Sequence, residues 1–205
     1  MSSTWIRITL FCLPILLAVF VILYLVGSWI FGIIGFLLQL AIFYYCIGPD
    51  NPFYPRVKSG NAHPTIEEIG SYFVEVNGQV FAGIFWYIIL GPIALLAYRL
   101  VYLSKFRPTV ATDATILSNL LDWIPARITA LLYLFVGHYQ AGVNTYTKLF
   151  FTGPEHNATL LKECGIKAIA TDSESLTLPV VETHIEHTMV LLLALIAIFT
   201  IASWM

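Results

Sequence analysis

ITLFCLPILLAVFVILYLVGSWIFGIIGFLLQLAIFYYCI, residues 8 to 47, contains no charged side chain. One helix needs about 20 apolar residues to cross a hydrocarbon layer of about 30 Å, and this run is about twice that long. It predicts a hairpin of two membrane helices, over 8–25 and 29–47, turning where Gly27 relaxes the backbone and Trp29 favours the interface. A secretory signal peptide would have a shorter apolar region, about 7–15 residues, followed by a small-residue cleavage site, and neither is present. Composition agrees: the 205 residues are 59% apolar and 11% charged, with a mean hydropathy of +0.83, whereas soluble domains carry about 25% charged residues. The chain reads as all-α, a single polytopic membrane domain over 1–205. Its net charge of -2 supplies no basic arm for nucleic acid. Cys12 and Cys46 lie in apolar runs and Cys164 stands alone, so the three form neither a disulfide framework nor a metal-ligand spacing and read as packing residues.

Outward from this run, the prolines and glycines of GPDNPFYPRVKSGNAHP, residues 48–64, predict an interfacial loop. Thr65 followed by Glu68 matches a capping box, in which hydroxyl and carboxylate each satisfy an orphan amide at a helix start. Ile66, Ile69, Phe73, Val76 and Val80 then recur at helical spacing, with Glu68, Ser71, Glu75 and Gln79 on other faces. The expectation is an amphipathic helix running into a third span, together covering 65–104. Gly91 and Pro92 fall inside it and predict a kink, since proline removes an amide donor and crowds the carbonyl four residues back. Arg99 near its end either snorkels to the headgroups with Lys105 and Arg107 or joins a site.

LLDWIPARITALL, residues 120–132, places Asp122, Pro125 and Arg127 in otherwise apolar sequence. Two readings are open. With Asp122 as N-cap, the helix runs from Trp123 to Val136, roughly 21 Å and too short to cross. Alternatively a helix over 115–137 kinks at Pro125 and crosses, and the two charges must then be paired or wet, because unpaired charge in hydrocarbon costs several kcal/mol.

The polar connecting region 138–188 predicts short helices, one started by Gly153-Pro154 and ended by Gly165. Glu182, His184, Glu186 and His187 follow; two histidines three apart can share a metal, or all four can be solvated side chains at the membrane boundary. Residues 189–205 are the last span, anchored by Trp204. The count is four transmembrane helices plus the segment 115–137, partly inserted or spanning.

EVNGQVFAGIFWYIILGPIALLAYRL, residues 75–100, followed by LLDWIPARITALL, resembles the inner-membrane AmpE family and its wider superfamily, which includes the cobalamin-biosynthesis proteins CobD and CbiB. Residues 46–49, CIGP, share the likeness more loosely. The AmpE resemblance implies a bacterial inner-membrane, multi-pass regulatory protein linked to cell-envelope signalling and β-lactamase induction. The CobD/CbiB resemblance implies a membrane enzyme joining an aminopropanol unit to a corrinoid acid by an amide bond. Those proteins carry an acidic Glu-Asn-Thr-Ser-Asp-Gly-like stretch where this chain has Glu75-Val76-Asn77-Gly78-Gln79, without aspartate. An ATP-using synthetase needs carboxylates for Mg²⁺, and no Walker-type Gly-rich loop is present. The sequence therefore favours AmpE-type regulation, with the CobD-type enzyme and a noncatalytic helper subunit as alternatives, and implies no cofactor and no metal.

Glu75 and Arg99 would be about 36 Å apart along one straight helix. Glu75 and Asn77 are thus expected at one membrane face. Arg99, Asp122 and Arg127 are expected at the other, as a charge-paired pocket for an anionic or lipid-linked ligand, arginine being suited to bidentate recognition of carboxylate or phosphate. Membrane lipid, a membrane protein or a second copy are the expected partners.

Overall fold

The computed structural model describes residues 2–26, 33–47, 65–105, 110–169 and 177–204. The expected turn at 27–29, the loop 48–64 and Arg107 lie outside the described residues. Every described element is helical. The chain divides into two compact units, one of residues 1–51 and 78–122, the other of 52–77 and 123–205.

The first unit contains α1 (Ser2–Val26), α2 (Ile33–Ile47), the helix numbered α4 (Ala82–Leu90), α5 (Pro92–Ser104) and α6 (Ala111–Leu121). Helix α5 is its hub, packing on α1, α2, α4 and α6. Leu95, Leu96 and Cys46 are buried there, with Ile15, Val19, Ile42, Phe43 and Tyr87 against them. The outer faces of α1 and α2 present Leu17, Phe20, Phe36 and Leu37, each more than half exposed, which suits a lipid environment.

The third span differs from expectation. The chain does not kink at Gly91 and continue; it reverses. Helix α4 ends at Leu90, Gly91 takes φ 81° and ψ -167°, and α5 starts with Pro92 in its first turn. The Tyr98 hydroxyl reaches the Gly78 carbonyl at 3.1 Å, and a Cβ on Gly83 would lie 3.2 Å from a Leu95 methyl. Those contacts pair residues on either side of Gly91, so α4 and α5 are the arms of an antiparallel hairpin. The 36 Å separation assumed a straight helix and lapses with it. A Cβ at Gly78 would run into the Tyr102 ring, so any larger residue there would make that ring shift.

The second unit contains α3 (Ile66–Val76), α7 (Trp123–Val136), α8 (Tyr139–Phe150), a 3₁₀ turn (Pro154–His156), α9 (Asn157–Ile169) and α10 (Leu178–Trp204). The capping box forms as read: Glu68 N–H donates to Thr65 Oγ1 at 3.3 Å and Thr65 N–H to Glu68 Oε2 at 2.7 Å. Of the apolar stripe, Ile69, Phe73, Val76 and Val80 are buried, while Ile66 is exposed. Helix α3 packs on α9. Gly165 does not end α9 as expected but lies inside it, because the Phe73 ring sits 2.6 Å from where its Cβ would be. Helix α10 begins ahead of the expected span, at Leu178: Val181, His184, Ile185 and Thr188 are buried, and the apolar remainder through Trp204 is largely uncovered.

Asp122 is not the N-cap of α7. Its backbone is helical (φ -77°, ψ -9°) and it caps the C-terminus of α6, whereas an N-cap has extended φ/ψ. The break falls at Asp122, not at Pro125, which sits in the first turn of α7.

Among the described residues two helices are long and apolar enough to cross a membrane, Ile66–Leu90 and Leu178–Trp204, or three if Ala111–Leu121 and Trp123–Val136 count as one broken span. Cys12–Tyr24, Gly35–Cys46 and Pro92–Ser104 are shorter apolar helices. The fold is that of a helical membrane protein with two to three such candidates rather than four firm ones.

All three cysteines are buried. Burial pushes the Cys164 thiol up to about 12, with Lys167 opposing and Glu163 adding to the rise. Because thiolate is the nucleophile, maleimide at pH 8 is expected to modify Cys164 about 10³-fold more slowly in the folded protein than after denaturation, by peptide mapping. A native rate within tenfold of the denatured one would contradict this placement.

Candidate functional site

The polar residues singled out from the sequence fall into separate groups. Asp122 is nine-tenths buried at the end of α6, in the first unit. Its Oδ1 accepts from the Tyr98 hydroxyl at 2.6 Å and its Oδ2 from Ser118 Oγ at 3.2 Å. Lys105 Nζ stands 3.9 Å from Oδ2 and over the Tyr102 ring, 4.7 Å from its centroid. Burial lowers the Lys105 pKa, and the Asp122 carboxylate opposes that. Tyr98, Tyr102 and Lys105 follow one another by four and three residues, so α5 presents them along one face. The π-helical turn Asn77–Phe81 lies just before α4, and π turns shift the backbone bonding register; the Gly78 carbonyl there is the second acceptor of Tyr98.

Arg99 is half-buried on α5, its guanidinium carbon 5.4 Å from the Tyr102 ring centroid. Its Nη1 is buried and has no hydrogen-bond partner.

Arg127 is 4% exposed, in the second unit. Nε donates to the Phe150 carbonyl at 2.7 Å, Nη1 to the Trp123 carbonyl at 2.7 Å and Asn157 Oδ1 at 2.9 Å, and Nη2 to the Thr152 carbonyl at 2.8 Å. A guanidinium has five N–H donors, so a single one remains. The cation also sits over the Trp123 ring at 4.2 Å, and Trp123 Nε1 donates to the Thr152 carbonyl at 3.1 Å. Arg127 therefore ties the turn after α8 to the start of α7. Asp122 and Arg127 belong to different units, and each has its own partners there.

Asn77 is buried with Oδ1 unpartnered, and Glu75 is exposed. His184 is buried rather than solvated, packed near Phe73 and Tyr133 and donating to the Tyr133 carbonyl, with Nε2 unpartnered. With His187 and Thr183 it lines an open cavity of about 400 Å³. No three His, Cys, Asp or Glu side chains among the described residues could hold a metal ion.

Lys105, Tyr98 and Ser118 are functional candidates that the sequence reading did not single out. The regular spacing of Tyr98, Tyr102 and Lys105 beside a predicted break was the available signal.

The described residues are all-helical with apolar helices left uncovered, as in a helical membrane protein, and the first unit holds a polar cluster of Asp122, Tyr98, Ser118 and the half-buried Lys105. Over 93 residues the chain is 31% identical to the cobalamin biosynthesis protein CobD of Chromobacterium violaceum, a match covering 42% of this chain and 29% of that protein. The chain thus matches less than a third of that relative's length. No family model matches, and no solved structure does. The similarity supports the cobalamin-biosynthesis side of the resemblance, and nothing in it speaks for AmpE.

Proposed function

We propose that the chain is a CobD-type membrane protein that acts in cobalamin biosynthesis, with the Asp122 cluster receiving an amine-bearing precursor. The observation carrying this reading is the 31% identity with CobD over 93 residues. The resemblance implies an aminopropanol unit joined to a corrinoid acid. An ammonium suits Asp122, because the carboxylate's ionic partner Lys105 stands at 3.9 Å, long for a charge-assisted bond and open to replacement. Arg99, with its unpartnered Nη1, is proposed as a cation for an anionic or lipid-linked ligand; Arg127 holds the scaffold. Asn77 and Glu75 belong to the second unit and are proposed as polar residues of that unit alone. The protein is proposed to be multi-pass in the bacterial inner membrane, with α10 as one of its spans.

A strain lacking the gene is expected to require added cobalamin when growth depends on its own corrinoid synthesis, with β-lactam response unchanged. Cobalamin-independent growth with altered β-lactamase induction would contradict the proposal and favour AmpE-type regulation. In the rescued strain, Asp122→Asn at wild-type protein level is expected to lower cobalamin yield about tenfold or more, the equivalent of losing one charge-assisted hydrogen bond. Full yield from that variant would remove Asp122 from the site.

A further inference from the structure

We infer that residues 78–104 form a re-entrant hairpin: α4 and α5 enter the bilayer from one face, turn at Gly91 within the hydrocarbon, and leave by the same face. From Gly78 to Tyr98 there is no charged side chain. The tip is apolar and uncovered, with Ile88, Ile89 and Leu90 exposed by 51%, 55% and 65%, and nothing lies within 4 Å of a Cβ built on Gly91. The arm from Gly78 to Leu90 is roughly 20 Å long at 1.5 Å per residue, short of the roughly 30 Å hydrocarbon layer.

In lipid each unpaired backbone group is costly, and the two helix ends at the tip leave some carbonyls and amides without an intrahelical partner, so the turn must keep their number small. Gly91 N–H donates to the Tyr87 carbonyl at 2.8 Å, the Gly91 carbonyl accepts from Leu95 N–H at 3.3 Å, and Pro92 has no amide proton. The polar groups gather at the opposite end of the hairpin, where Tyr98 joins the Gly78 carbonyl to Asp122, with Lys105 beside it.

The competing topology makes Ile66–Leu90 one span of 25 residues, which its length and hydropathy permit. It would carry Glu67, Glu68 and Glu75 toward hydrocarbon. All three are exposed, and Glu67 pairs with Lys162 at 3.8 Å. Carboxylates at membrane depth face protein or water, so residues 66–76 belong outside the hydrocarbon and the inserted length shrinks to the hairpin arm.

Single-cysteine variants Gln79→Cys, Leu90→Cys and Leu103→Cys, made with the native cysteines replaced, test this in sealed vesicles of both orientations with a membrane-impermeant maleimide. Gln79→Cys and Leu103→Cys are expected to label from the same side and Leu90→Cys from neither. A nitroxide at Leu90→Cys should then be more accessible to oxygen than to a water-soluble nickel chelate. Labelling of Leu90→Cys from the side opposite Gln79→Cys would establish a full span and overturn the inference. Labelling from the same side, or nickel access at position 90, would put the tip in water and overturn it as well. Native-like elution in detergent qualifies each variant, and Leu90→Ser, probed by hydrogen exchange of the tip in nanodiscs, offers a second reading that needs no cysteine: slow exchange supports insertion, fast exchange denies it.

Discussion

Arg127→Ala is expected to destabilise the protein by on the order of 2–4 kcal/mol, the loss of several hydrogen bonds from a charged donor to neutral acceptors. The substitution deletes four hydrogen bonds and leaves the carbonyls of Trp123, Phe150 and Thr152 and the Asn157 amide oxygen short of a donor. The Thr152 carbonyl keeps the Trp123 indole N–H and the Trp123 carbonyl its place in the α7 ladder, so the loss falls mainly on the Phe150 carbonyl and the Asn157 amide oxygen, at about 1–3 kcal/mol for a buried acceptor left without a donor. It also removes the stacking on Trp123. Arg127→Lys restores the charge but not the planar fork and is expected to fall between, since an ammonium cannot serve acceptors set around a plane. Thermal unfolding in detergent, followed by tryptophan fluorescence, measures both. An Arg127→Ala midpoint equal to wild type would show that the clamp holds nothing.

Gly91→Val is expected to cost about 1–3 kcal/mol, and here the sign matters as much as the size. Glycine at φ 81° and ψ -167° occupies a region that other residues essentially do not visit. No neighbour would clash with the new side chain, so the penalty is one of backbone conformation. Were Gly91 a helical residue in a kinked span, replacing it would relieve the entropic cost of glycine, worth roughly 0.5–1 kcal/mol relative to alanine. Gly91→Ala should therefore lower stability if the chain reverses and raise it if the chain continues. Denaturation of the two variants beside wild type gives the answer directly.

Much of the second unit was legible because local chemistry fixed it. Thr65 and Glu68 close a capping box whatever lies around them, and the buried positions Ile69, Phe73 and Val76 follow the helical period. The bounds Trp123–Val136 also emerged from the apolar run itself. The reversal at Gly91 did not, because a Gly-Pro pair suits both a kink and a turn. Contacts distant in sequence decide between them, Gly78 against Tyr102 and Gly83 against Leu95. The same reversal hid part of the site: Tyr98 and Lys105 reach Asp122 from α5, and no rule of spacing links them to a residue so far along the chain. Asp122 before Trp-Ile-Pro looks like an N-cap, yet its carboxylate serves hydroxyl donors from α5 and α6 instead. Arg127 drew attention as a charge in apolar sequence, but its acceptors are mainly backbone carbonyls, which sequence does not mark.

Reversal of the chain at Gly91 underlies both the site and the topology, and one distance tests it. Spin labels on Gln79→Cys and Leu103→Cys, measured by pulsed electron double resonance in nanodiscs, should lie on the order of 10–20 Å apart, as on neighbouring helices whose axes pack at about 8–10 Å. A distribution centred near 36 Å, the separation along one continuous helix, would contradict the hairpin.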